Sequence, residues 1–156
     1  MPLTQNSTPL KMPEIQPLMP DKSYLGKLEQ EFCSGKFSNI EKDLELFIIQ
    51  HKNDIKRFRD TELTKIKDTG VSDELAIKLF IMRTRSINPL EEIKLELDEI
   101  EKEIWYQGEK TNGLINREQV TKKWCEQHAA GWRDHWVMTV LYVFERFKDK
   151  FIKLIQ

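Results

Sequence analysis

This chain has little cysteine, no long apolar run and no surplus of charge of either sign. Its two cysteines, Cys33 and Cys125, stand far apart and in no metal-type pair. That argues against a disulfide scaffold and fits a reducing compartment. The longest apolar run, WVMTVLYVF from Trp136 to Phe144, is less than half of the roughly 20 residues that a membrane-spanning helix needs. The opening MPLTQNSTPLKMPEIQPLMP has neither the basic start nor the apolar stretch of a signal peptide. A cytoplasmic location with no membrane partner is expected. A net charge of -1 gives no general pull toward nucleic acid or an anionic surface. No Gly-rich phosphate loop, zinc signature or serine elbow occurs.

Proline is nearly absent too, except at one end. Five of the six prolines, Pro2, Pro9, Pro13, Pro17 and Pro20, fall in the first twenty residues. Each removes a backbone donor and fixes φ, so residues 1–20 are expected to be a flexible tail, with a docking peptide as the functional alternative. The remainder, 21–156, reads as a single helical domain, because 156 residues can bury a real core without staples. Its composition, 33% charged and 39% hydrophobic, is that of a soluble chain.

Helical periodicity accounts for most of this domain. After a short candidate over DKSYLGKLEQEFCS, the motif SNIE at 38–41 predicts a capping box. Leu44, Ile48, His51, Ile55 and Phe58 then alternate steps of four and three, which predicts one helix as far as Lys67. A third helix starts at Ser72 and carries Leu75, Leu79, Phe80 and Met82. Asn88, Pro89 and Glu91 mark a fourth start, followed by Leu90, Ile93, Leu97, Ile100 and Ile104 in strict three-four spacing. Leu97 and Ile100 are expected to be buried. Asn116 and Gln119 form a further capping box. A last helix is expected from Arg117 to near the C-terminus, about 55 Å if unbroken. Within it VMTVLYVF is rich in β-branched and aromatic residues, which leaves a strand as the alternative for 136–144. The expected fold is all-α, a bundle of four to five helices behind a disordered Pro-rich N-terminal tail.

The segment WCEQHAAGWRDHW, residues 124–136, holds three of the four tryptophans and two of the three histidines. On a helix, Trp124, His128, Gly131 and His135 share a face, with Trp132 and Trp136 to one side. Beyond Gly131 the apolar ridge shifts around the axis, so the helix is expected to bend there or to pack its halves on different neighbours. A shared metal is excluded by spacing. His128 and His135 lie two turns apart, about 10.5 Å of rise, whereas zinc ligands sit about 2 Å from the ion. Cys125 among tryptophans reads as a packed thiol rather than a nucleophile. No cofactor is implied. Packing is the favoured reading: Ala129, Ala130 and Gly131 leave a notch for a crossing helix, Trp124 and Trp132 are mostly buried, and a buried indole N–H takes a Glu or a carbonyl as acceptor. His51 is expected to face His128 or His135, and Trp105 to meet Trp124.

Charge is uneven. Residues 86–110 carry eight acidic and three basic side chains, and residues 51–85 carry nine basic and six acidic. The basic strip is expected to pair with the acidic fourth helix. Three functions remain. The leading one is protein–protein interaction, as an adaptor or a small subunit of an assembly, with an unknown protein partner or a second copy of the chain. The runner-up is a nucleic-acid-binding regulator whose phosphate contacts are Lys56, Arg57, Arg59, Arg83 and Arg85. The third is an enzyme or small-ligand binder. For the first and third, the candidate interaction or pocket residues are Trp105, Trp124, His128, Gly131, Trp132, His135 and Trp136. Nothing in the sequence names a catalytic residue.

Overall fold

The computed structural model describes residues 22–66 and 71–156, and among them every regular element is helical. The proline-rich residues 1–20 lie outside the described residues. In chain order the helices are α1 Lys22–Cys33, α2 Ser38–Gln50, α3 Lys52–Arg57, a π-helical segment Phe58–Leu63, α4 Thr64–Ile66, α5 Asp73–Thr84, α6 Pro89–Lys110, α7 Arg117–Gln127, α8 Ala129–Arg146 and α9 Lys148–Ile155.

Three helix starts use the caps that the sequence marks. Ser72 Oγ accepts the Leu75 amide at 3.2 Å, Asn88 Oδ1 accepts Glu91 at 3.3 Å, and Asn116 Oδ1 accepts Gln119 at 3.1 Å. The SNIE box does not form. Phe37 is the cap residue and makes no side-chain cap bond, and Ser38 is already helical. Burial of Phe37 in the core fixes the entry one residue earlier than the capping pattern suggests.

The helix expected over 38–67 breaks at His51, where φ is -105° and ψ is 17°. The break leaves the stripe intact: Leu44, Ile48, Ile55 and Phe58 all face the core. The π-helical segment follows for a reason of register. Five residues of α-helix would place Leu63 about 140° away from Phe58. The wider π turn brings it back toward the same side, and both side chains join one cluster.

The long helix expected from Arg117 is three helices. It breaks at His128 (φ -123°, ψ -19°), three residues before Gly131, and again at Phe147 (φ -125°, ψ 31°). Residues 136–144 are helical, not a strand. Trp136, Val137, Met138, Thr139, Val140, Val143 and Phe144 are buried, so this part of α8 is covered nearly all round. That explains its continuous apolar run. The main core gathers Leu28, Leu44, Ile48, Ile77, Val143, Phe144, Phe151 and Ile155 from α1, α2, α5, α8 and α9. A smaller cluster of Ile100, Ile104 and Trp124 joins α6 to α7, and Trp132 borders both.

Candidate functional site

A fully buried carboxylate holds α6 against α8. Glu92 is 0% exposed. Its Oε2 accepts the Ile87 amide at 2.8 Å, the Asn88 amide at 3.1 Å and the Trp136 indole N–H at 2.9 Å. Its Oε1 accepts Arg133 at 3.0 Å, and the same guanidinium donates to Glu96 at 2.9 Å. A charge so placed is tolerated only with many donors around it, and here they come from the helix start, an arginine and an indole. Beside the knot, Arg85 turns the chain with φ at 58° and pairs with Asp134. The expected acceptor for a buried indole is therefore a glutamate. Sequence reasoning named neither Glu92 nor Arg133. The available signal was the second acid after Asn88-Pro89: Glu91 supplies the capped amide, while Glu92 reaches back to the free ones.

The Trp/His segment divides. Trp136 belongs to the main core and stacks on Trp132, with the rings parallel to within 3° at 5.8 Å. Trp124 is buried in the α6–α7 cluster. Trp124, His128, Gly131 and Trp132 line one open groove of about 410 Å³, with Glu99, Glu103 and Gln127 opposite or beside them. Lys123, Gln119 and Val120 of α7 and Gln107 of α6 line an adjoining hollow between these two helices. The crossing helix expected at Gly131 is not there: a β-carbon at this position would meet nothing within 4 Å. The break at His128 swings α8 toward the main core and leaves the notch open.

Two members of the set lie elsewhere. Trp105 is 67% exposed rather than packed on Trp124, because it sits one residue round the helix from Ile104, which takes that place. His135 Nδ1 is 2.6 Å from the Tyr24 hydroxyl of α1. Loss of water around the ring lowers the His135 pKa, with Glu31 opposing, and burial pushes the Tyr24 hydroxyl up to about 12. His51 does not face either histidine. It packs between Phe47 and Phe80, with Asp54 at 3.6 Å.

The basic strip is distributed among carboxylates. Arg57 pairs with Asp54 at 3.2 Å, Arg59 with Asp60 at 2.7 Å and Asp73 at 2.5 Å, and Arg83 with Glu62 at 2.7 Å. Arg85 pairs with Asp134. Lys56 lies close enough to Asp60 to lower that carboxylate's pKa, after the larger effect of Arg59. None of these acids belongs to α6, so the pairing expected with the acidic helix is replaced by pairing with nearer neighbours. Arg57 and Arg83 share a shallow cleft of about 270 Å³ above Phe58 and Phe80.

One apolar face of α6 is left bare. Leu90, Ile93 and Leu97 are 83%, 50% and 55% exposed, while Ile100 and Ile104 on the same face are buried. The expectation that Leu97 is buried is thus corrected, and that for Ile100 holds. The physical reason is length: α7 packs on α6 through Val120 and Trp124 and ends at Gln127, so it covers only the C-terminal half of the row. Among the described residues no helix is long and apolar enough to cross a membrane, and no group of three His, Cys, Asp or Glu is placed to hold a metal. No protein-family model, no curated protein and no solved structure matches this chain.

Proposed function

We propose that this chain is a protein–protein interaction module, an adaptor or a small subunit of an assembly, whose partner docks on the N-terminal half of α6. The observation that supports it is the row Leu90, Ile93 and Leu97, exposed on the same helix face whose continuation is a core. Scattered surface leucines need no explanation, but an aligned apolar row in register with a buried seam has the form of a docking face. The phosphate-binding reading has less support, since Arg57, Arg59, Arg83 and Arg85 already lie against carboxylates.

The test is retention of a partner from native extract on the full chain, run beside Leu90→Asp and Leu97→Asp. These positions are exposed, so both variants are expected to fold as the wild type does. A partner held stoichiometrically by the wild type and lost by both variants supports the docking face. Equal recovery on all three proteins overturns it.

A further inference from the structure

We propose that the groove at the His128 turn binds an alkylguanidinium group, held between Glu99 and Glu103 and against the indoles of Trp124 and Trp132. The site is separate from the docking face on α6 and does not depend on it. Two observations carry it. The first is a pattern that the molecule itself fills in one half. Glu92, Glu96, Glu99 and Glu103 follow at three-four spacing, so helical geometry sets them along one face of α6. In the first half of that row a guanidinium bridges the carboxylates: Arg133 donates to Glu92 at 3.0 Å and to Glu96 at 2.9 Å. The same guanidinium lies 5.5 Å from the centre of the Trp132 ring, within reach of a cation–π contact. Glu99 and Glu103 repeat the pair two turns on, beside Trp132 and Trp124, and no lysine or arginine lines the groove with them.

The second observation is the room and the free acceptors. The groove holds about 410 Å³, within the roughly 300–1,000 Å³ of small-ligand sites. Gly131 leaves its wall open. Glu103 uses Oε2 to accept Gln107 at 2.6 Å, and Glu99 uses Oε2 in an exposed pair with Lys102 at 2.9 Å. Among the described residues, Oε1 of each carboxylate has no bonded partner. Lys123, in the adjoining hollow, is bonded to neither. Like charges one turn apart on a helix repel, and a cation between them relieves that cost. A guanidinium suits the place better than an ammonium. It is planar, offers separate N–H groups to two carboxylates, stacks on an indole and sheds water more readily. Glu99, Glu103 and His128 are not placed to hold a metal ion instead.

The experiment titrates butylguanidinium into the full-length protein and follows the indole and Gly131 amide signals by NMR. Butylurea, of the same shape without the charge, is the control ligand. A Kd of about 1 mM is expected, ordinary for so small a ligand, with butylurea at least about tenfold weaker. Glu99→Gln combined with Glu103→Gln should weaken butylguanidinium at least about tenfold, whereas Asp98→Asn, off this face, should leave it unchanged. Gly131→Leu puts a side chain into the groove without crowding the fold and should weaken it as much; this variant decides if the double glutamine variant does not fold. A blocked tripeptide, acetyl-Gly-Arg-Gly amide, separates the two sources of the group. Binding at least as tight as that of butylguanidinium assigns it to an arginine of a partner protein, and exclusion of the tripeptide assigns it to a free guanidine. Equal binding of butylurea overturns the proposal, as does butylguanidinium binding that survives in a folded double glutamine variant or in Gly131→Leu. Butylammonium binding as tightly as butylguanidinium overturns the choice of a guanidinium.

Discussion

Replacing Glu92 by leucine should be among the most damaging single changes in the protein. The carboxylate accepts four hydrogen bonds, from the amides of Ile87 and Asn88, the indole of Trp136 and the guanidinium of Arg133. Arg133 keeps Glu96 as a partner and some access to water, so its loss is partly made good. The Ile87 amide and the Trp136 indole are buried, and Glu92 is the acceptor both use. A buried donor left without an acceptor costs about 1–3 kcal/mol. Removing one member of a buried charge pair costs roughly 3–5 kcal/mol. The two figures describe overlapping losses, so the expected destabilisation is about 3–5 kcal/mol, against total stabilities of roughly 5–15 kcal/mol for domains. Glu92→Gln keeps one acceptor oxygen and should lose less. Urea denaturation followed by tryptophan fluorescence reads both values, with Asp98→Asn as an exposed control expected to stay within about 0.5 kcal/mol. A loss below about 1 kcal/mol in Glu92→Leu would refute the view that this carboxylate holds α6 to α8.

Three further outcomes are expected. Ile100→Ala should destabilise by roughly 2–5 kcal/mol, whereas Leu97→Ala should change stability by less than about 0.5 kcal/mol; equal effects in the same denaturation assay would mean that the bare row is covered. Gly131→Leu should stabilise the fold by up to about 0.8 kcal/mol, since leucine favours helix and nothing crowds the position; a lower melting temperature would show that the notch is filled. His135 has a folded pKa below its ordinary 6.5, from loss of water around the ring. The unfolded chain therefore takes up the proton first on acidification, and stability should fall as pH drops through about 6.5 and below. His135→Gln keeps an acceptor for Tyr24 without titrating, so the melting temperatures of the two proteins between pH 5.5 and 7.5 should differ in slope. Parallel curves would remove His135 from the pH response.

How much was legible in the sequence depends on what each signal measures. Asn88 and Asn116 cap as read because the interaction is local, between a side chain and an amide three residues on. Ser38 carries the same local pattern and fails, because burial of Phe37 sets the helix entry. The breaks at His51 and His128 carry no proline or glycine and left no local mark. Both sides of the His51 break face the same core, whereas at His128 the two sides pack on different neighbours, α7 on α6 and α8 on the main core. The face change beyond Gly131 did register that difference, but as a shift of the apolar ridge, which locates a bend only to within a turn. Glu92 was hidden by its type: a glutamate in an acidic helix start reads as a solvated charge, and only the approach of Trp136 and Arg133 from α8 makes it a buried acceptor.

The row on α6 carries the same lesson into function. Its three-four spacing is uniform from Leu90 to Ile104, and nothing in it separates the buried half from the bare half. Periodicity reports that a face is built to be covered and says nothing about what covers it. The helix that covers Ile100 and Ile104 is supplied by the chain itself, and it ends where the His128 turn sends α8 to the main core. The exposed Leu90, Ile93 and Leu97 are what remains when one continuous seam meets a cover too short for it. An isolated domain gains nothing in solubility or stability from such a row, because apolar surface in water is unfavourable at roughly 25 cal/mol per Å². A second helix laid along it removes that penalty at the moment of binding, which is why the bare half, rather than the aromatic segment that first draws the eye, carries the functional proposal.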